Sequence, residues 1–350
     1  MTEKENLLRA VRFERPDSIP MVFAINAACY THYPQDALFD LMEGHPYLFP
    51  GFERPKGVFT PEYHPIAKKG QPFTDDWGCV WETLMDGITG TVTGHPLTDL
   101  SELDRYPIPD PAQCTGIGPI DWESERAAIA AQKEAGVLVS RGLRHGHTFL
   151  QLCDILGYEN LFFAMADEDK NLLRLIEKLE EFNLGIVERY VDAGVDIMGY
   201  AEDLGQQNAP MISPSLFKTY IKPSYTRLMQ PAREAGIPIH MHSDGYLHEL
   251  IDDIVGSGVE IINLQDLVNG IDWIRDRLAG KVCIDLDIDR QTVTARGTPD
   301  EIDALIREEV QSLSTRQGGL MMIYGLYPGV PLENVKALMD AMEKYAFYYD

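Results

Sequence analysis

The 350-residue sequence predicts an α/β fold, a single (β/α)8 TIM barrel with an N-terminal loop-rich insertion. Three observations lead there. From residue 137 onward short apolar strands alternate with helical patterns, which calls for a parallel sheet covered on its faces. Strand patterns occur near residues 21, 88, 137, 197, 238, 260, 282 and 320, and eight such units favour a closed ring over an open doubly wound sheet. No glycine-rich phosphate fingerprint follows the first strand, as a dinucleotide-binding sheet would need. One domain is expected over 1–350, with 26–120 as an irregular capping segment.

The elements follow in order. Thr2 to Arg12 reads as a short helix, with Thr2 and Glu5 at capping-box spacing. Met21–Ile25 is an apolar run that fits a first buried strand. Residues 26–120 are rich in proline, glycine and aromatics, and Gly87–His95 reads as β. Asp121–Ala135 is helical and Gly136–Gly142 a strand, followed by helical pieces at Thr148–Leu156 and Glu159–Ala166. Leu172–Val191 carries a broad apolar face, and Gly194 ends it. Val195–Gly205 is the next strand. Ser213 and Pro214 start a helix that runs to Ala235, bent near Pro223 and Pro231. The strand Ile237–Gly245 turns into a helix over Tyr246–Val255. Strands at Val259–Asp266, Lys281–Asp289 and Gly318–Tyr324 alternate with helices at Ile271–Leu278, Thr298 to about Ser312, and Pro331–Tyr348.

The chemistry gathers on Ile237-Pro-Ile-His-Met-His-Ser-Asp-Gly245. A strand has a side-chain period of two, so His240, His242 and Asp244 share one face. In 259–266, Ile261, Asn263 and Gln265 share a face; in 281–289, Cys283, Asp285, Asp287 and Asp289 do. Barrel interiors are normally filled with branched apolar side chains, and unpaired carboxylates there are costly. Polar faces on consecutive strands therefore imply a cavity that admits water, metal or ligand. Glu202 and Asp203 end the preceding strand. With His242 and Asp244 they form a candidate site for a divalent ion or a proton donor, and Zn²⁺ takes three or four such ligands. The expected metal ligands are His242, Asp244 and Glu202. The expected catalytic residues are these together with Asp203 and Asp287. Trp77, Trp81, His240, Gln265 and Tyr324 are the candidates for substrate contact.

Composition excludes some functions. The formal net charge is −25, so nucleic acid and anionic membrane surfaces are poor partners. No apolar run approaches the roughly 18 residues of a membrane helix, and the first residues open into a polar helix instead of a signal peptide. Cys29, Cys79, Cys114, Cys153 and Cys283 are scattered, without a C-x-x-C. That suits reduced thiols and a cytoplasmic location.

Thr74-Asp-Asp-Trp-Gly-Cys-Val-Trp81, His95-Pro-Leu97, Glu202-Asp-Leu-Gly205 through Ile212-Ser-Pro214, His242-Ser-Asp-Gly245 and Pro331-Leu-Glu-Asn-Val335 occur in this order. On these stretches the chain resembles the uroporphyrinogen decarboxylase superfamily, and within it the corrinoid-dependent methyltransferase branch. The resemblance implies a (β/α)8 barrel with its active site at the C-terminal mouth of the strands. In the decarboxylases an N-terminal Arg-Gln-Ala-Gly-Arg segment holds the substrate's carboxylates. The corresponding stretch here, Phe23–Tyr30, has no arginine. In the methyltransferases zinc is often held by His-x-Cys and a distant Cys. Here His242 matches the His, Asp244 stands at the Cys position, and 320–330 has no Cys.

The resemblance thus implies methyl transfer from a small methylated donor to the Co(I) corrinoid of a partner protein, and Trp77 and Trp81, as residues flanking the donor, favour an aryl methyl ether. The expected cofactors are that corrinoid and zinc, the latter either held by oxygen and nitrogen ligands or absent. Uroporphyrinogen decarboxylation, or binding of a corrinoid or small ligand without turnover, are the alternatives.

Overall fold

A computed structural model describes residues 1–349 of the chain. The strands among these residues are β1 (Met21–Ile25), β2 (Phe73–Thr74), β3 (Val80–Glu82), β4 (Thr91–Gly94), β5 (Ser140–Gly142), β6 (Ile197–Asp203), β7 (Ile239–Asp244), β8 (Ile261–Gln265), β9 (Cys283–Asp287) and β10 (Leu320–Leu326). Seven of them form one sheet in the order β1-β10-β9-β8-β7-β6-β5, and β2-β3-β4 form a second. Every pairing with a defined register in the larger sheet is parallel, as strands alternating with helices require.

The eighth barrel strand expected at 87–95 is not in this sheet. That stretch supplies β4 of the small sheet instead. The reason lies in its residues: Thr91-Val-Thr-Gly94 is open to solvent to some degree at every position, so it has no apolar face to bury. The chain groups into two compact units. Met1–Gln71, Glu82–Gly90 and Leu264–Asp350 make the first; Pro72–Trp81 and Thr91–Asn263 make the second. Residues 26–120 contribute to both.

In the first unit β10 lies between β1 and β9, with Met21 opposite Met322 and Met322 opposite Leu286. Pro299–Leu313 and Leu332–Ala346 are its long helices. The former opens with a closed capping box between Thr298 and Glu301. Ile302, Ile306 and Val310 from one, and Val335, Met339 and Met342 from the other, are fully buried. Such burial supplies most of a fold's stabilisation, at about 25 cal/mol per Å² of apolar surface.

The second unit is built on β5, β6 and β7 with the helices Phe149–Leu156, Lys170–Ala193 and Lys222–Glu234. Gly194, in the left-handed region at φ 73°, caps the longest of these. The helix expected from Ser213 to Ala235 is interrupted. Ser213 caps it as anticipated, but Phe217–Ile221 is π-helical. Pro223 has no amide to donate to the Thr219 carbonyl, so the ladder shifts before the regular helix resumes at Lys222. The helix expected from Tyr246 begins only at Ile251. The Tyr246 amide is drawn off to the Gln206 carbonyl at 2.7 Å, and its ring lies 4.2 Å from that of His248. Among the described residues no helix is long and apolar enough to cross a membrane.

Candidate functional site

In β7 the residues Ile239, Met241 and Ser243 are buried while His240, His242 and Asp244 are partly open, the alternation that the sequence shows. β6 and β7 pair with Ala201 opposite His242, Glu202 opposite Ser243 and Asp203 opposite Asp244. Paired residues on parallel strands point to the same face. Asp203 therefore joins His242 and Asp244, whereas Glu202 points to the opposite face with Ser243.

A third side chain comes from the loop after β5. The Leu143 amide donates to the Gly199 carbonyl and the Gly146 amide to that of Ala201, at 3.0 and 2.8 Å. This lays Arg144-His145-Gly146 along the end of β6. His145 Nε2 then stands 3.1 Å from Asp203 Oδ2. His242 Nε2 is 3.4 Å from Asp203 Oδ1 and 3.7 Å from Asp244 Oδ1. The two imidazole rings meet edge to face with centroids 5.5 Å apart.

Potential ligand atoms of His145, Asp203 and His242 lie within 4.8 Å of one another. Two nitrogens and a carboxylate oxygen suit Zn²⁺ and several other divalent ions. The outer contacts fit as well. His242 Nδ1 bonds to Asn263 Oδ1. An amide oxygen only accepts, so Nδ1 carries the hydrogen and Nε2 is left for Asp203 or for an ion. His145 is half exposed, which leaves an approach from solvent.

The electrostatics follow from these contacts. Burial alone would lower the His242 pKa, but the bond to Asp203, the charge of Asp244 and the Asn263 bond raise it to about 9. Burial likewise works against the Asp203 carboxylate, yet its bonds to His145 and His242 hold it far below the usual carboxylate range. The metal-free cluster is thus an imidazolium–carboxylate arrangement, and an incoming ion displaces the Nε2 proton.

Glu202 is not beside His242, although its place at the strand end makes it an expected ligand. Its carboxylate is fully buried and accepts from the Thr148 amide at 2.6 Å, the Phe149 amide at 3.0 Å and the Tyr225 hydroxyl at 3.0 Å. Burial pushes this carboxyl up to about 7 against the pull of its donors. The fully buried His147 ring is driven down to about 3 by burial, then by the charges of His145 and Arg144, so it is neutral.

Trp77 and Trp81 are interior side chains and not the walls of an open pocket. Trp77 meets Phe182 edge to face at 5.0 Å. Trp81 Nε1 donates to Asp75 at 2.9 Å, and the Arg144 guanidinium lies over its ring at 5.3 Å. The Asp75 carboxylate also accepts from the Trp77 and Cys79 amides at 3.0 and 2.9 Å. The aspartate of this aromatic motif therefore organises a turn. His240 sits one pleat before His242 on the same face, opposite Gly199.

The other expected residues belong to the first unit. Asp287 is buried and paired with Arg290 at 2.7 Å. Tyr324 is buried, its ring 5.2 Å from Phe23 and its hydroxyl 3.2 Å from Thr294 Oγ1. Gln265 is half-buried at the end of β8, where its carbonyl accepts from Asn269 at 2.9 Å.

Sequence reading did not single out His145. Its signal was a His-Gly-His run directly after a strand. Asn263 was visible only as a polar alternation.

The model of the uroporphyrinogen decarboxylase (URO-D) family matches residues 85–345. Uroporphyrinogen decarboxylases from two strains of Thermus thermophilus are each 26% identical over 187 residues, 52% of this chain and 51% of theirs. The chain thus spans about half the length of the curated relatives it matches. Among solved structures, a methyltransferase from Methanosarcina mazei superposes over 100% of both chains with a TM-score of 0.68 at 18% identity. At that identity the likeness is one of fold.

Proposed function

Because the chain belongs to the uroporphyrinogen decarboxylase (URO-D) family, we propose that it is a methyltransferase of the O-demethylase type. In this reading it moves a methyl group from a small methylated donor to the Co(I) corrinoid of a partner protein. The observation that carries the reading is the convergence of His145, Asp203 and His242 at the C-terminal ends of parallel strands, where barrel enzymes place their chemistry. The fold shared with a methyltransferase supports it.

The reaction asks little covalent chemistry of the chain. The Co(I) electron pair forms the Co–C bond, the donor's C–O bond breaks, and the oxygen leaves as an alkoxide or phenoxide that takes up a proton. A phenol, with a pKa of about 10, leaves more easily than an alkoxide, which favours an aryl methyl ether as donor. His145 and His242 would hold Zn²⁺ through Nε2 and Asp203 through a carboxylate oxygen. When bound, that ion supplies Lewis-acid polarisation of the ether oxygen. Asn263 fixes the His242 tautomer. Without an ion, the His242 Nε2 proton beside Asp203 is what the chain offers a departing oxygen. Fixing the donor in line with the attacking metal centre is worth several kcal/mol, of the about 7–11 that full orientation supplies.

A second reading, porphyrinogen decarboxylation, has the names of the matching relatives in its favour. Against it stand the absence of arginine in Phe23–Tyr30 and the acids Asp203 and Asp244 at the cluster, which repel a polycarboxylate. Anaerobic incubation with cob(I)alamin and a panel of methoxyarenes and methylamines separates the two. Methylcobalamin and a demethylated product are expected. Coproporphyrinogen from uroporphyrinogen, with no methyl transfer from any donor, contradicts the proposal. Corrinoid binding without either product assigns the chain to non-catalytic binding.

A further inference from the structure

We infer that Glu202, with Tyr225, is a positioning pair that sets His145 in the cluster; the inference rests on the proposed role of that cluster. Nothing in the chemistry of β6 requires a carboxylate at this place. The side chain is fully buried on the face away from His242, where an apolar residue would be the ordinary choice. A buried carboxylate is costly unless it is fully hydrogen-bonded, and this one spends its acceptors on a specific set of donors.

Two of those donors are the amides of Thr148 and Phe149. They open the helix Phe149–Leu156, whose Thr148 side chain bonds to the His147 ring and makes no capping bond to the helix amides. The first amides of a helix have no partner within it, and the two carboxyl oxygens of Glu202 supply acceptors from outside. His145 lies three residues before Thr148 in the same loop. The Leu143 and Gly146 amides, one on either side of His145, hold the loop to carbonyls of β6. The segment that carries His145 is therefore held to one strand at three places, and Glu202 supplies the last, where the loop passes into the helix. Asp203, its partner, is the next residue on that strand. One rigid dipeptide thus fixes both members of the contact: Asp203 by its own side chain, and His145 through the loop that Glu202 holds.

The third donor is the Tyr225 hydroxyl. Tyr225 is fully buried in the helix that resumes after the π-helical turn. A π turn inserts one extra residue and rotates all that follows by about 100°. The irregularity that Pro223 imposes therefore sets the phase at which Tyr225 faces β6. π turns of this kind are frequent beside functional sites.

The test compares Co²⁺ and Zn²⁺ dissociation constants of the whole chain with those of Glu202→Gln and Tyr225→Phe, well below their melting temperatures. Glutamine offers one acceptor oxygen and sets an NH₂ against the remaining donors. An outer contact of this kind changes metal affinity by about 10–100-fold. Glu202→Gln is expected to weaken binding within that range and to alter the visible spectrum of bound Co²⁺. Tyr225→Phe should act in the same direction and less. Tyr220→Phe is the control: it loses a buried hydroxyl bond to the Met165 carbonyl in the same unit, so it should lower the melting temperature and leave the affinity unchanged. Wild-type affinity in Glu202→Gln, or an equal loss in Tyr220→Phe, overturns the inference. If the unaltered chain binds neither ion, the metal reading fails by itself. The pair is then judged from imidazole ¹H–¹⁵N spectra. A His145 signal shifted to that of free imidazole in Glu202→Gln supports it, and an unchanged signal overturns it.

Discussion

Two adjacent acids on one strand meet opposite fates. Asp203 sits between two imidazoles and stays ionised, while Glu202, one residue earlier, is fully enclosed and held up to about 7 by burial. The alternation rule that separates them was legible in the sequence. What it lacked was the register of β6 against β7, which places Asp203 and not Glu202 on the face of His242. The conversion of Trp77 and Trp81 from candidate ligand walls to interior residues has a similar cause, since exposure of an aromatic in a loop-rich stretch is decided by tertiary packing. The first unit holds a separate acid, Glu309, fully buried on the helix Pro299–Leu313. Burial, and then the charge of Asp266, hold its carboxyl well above the usual range. The folded chain therefore keeps a proton that the unfolded chain releases above about pH 4.3. The stability contribution is full below that pH and is lost as pH rises toward the folded pKa. Glu309→Gln keeps a donor toward Asp266 and removes the penalty. Thermal unfolding should show a higher melting temperature at pH 8 and a weaker decline with pH; a lower one at pH 8 contradicts this.

At the scale of elements, the junction between β6 and β7 is the most constrained. Leu204 donates its amide to Ser243 Oγ at 2.9 Å, and Gly205 donates to the Asp244 carbonyl at 3.1 Å. Gly245 adopts φ 82°, and a Cβ there would come within 2.2 Å of the Gly205 backbone. Gly245→Ala combines a strained backbone with a steric clash, each of about 1–3 kcal/mol. Denaturant unfolding should show a loss on the order of 3 kcal/mol, and a loss under about 0.5 kcal/mol contradicts the tight crossing. The strand–helix alternation after residue 137 was readable because its apolar periods are long and regular. The π turn at Phe217–Ile221 and the late helix start at Ile251 were not. Both depend on where a single amide finds its acceptor, which composition does not encode. His145 was missed for the same reason, its place being fixed by loop amides bonded to β6.

For the whole molecule, charge and family membership act together. A formal net charge of −25 destabilises any compact state by self-repulsion, and salt relieves it within a Debye length of about 10 Å at 0.1 M. The melting temperature should rise between about 10 and 150 mM NaCl; a fall would mean that attractive ion pairs dominate. The parallel α/β organisation was legible from pattern alone. The eighth strand was not, because Thr91–Gly94 has the alternation of a strand without an apolar face to bury. The central claim is that His145, Asp203 and His242 form one ligand set. Its most direct test is the metal content of the chain purified without chelators, by mass spectrometry, for the unaltered sequence and for His145→Ala and His242→Ala. The account predicts about one divalent ion per chain, lost in both His242→Ala and His145→Ala, since either leaves two ligands where three are the usual minimum. Full occupancy in His242→Ala, or no metal in the unaltered chain even after loading with Zn²⁺, would contradict it.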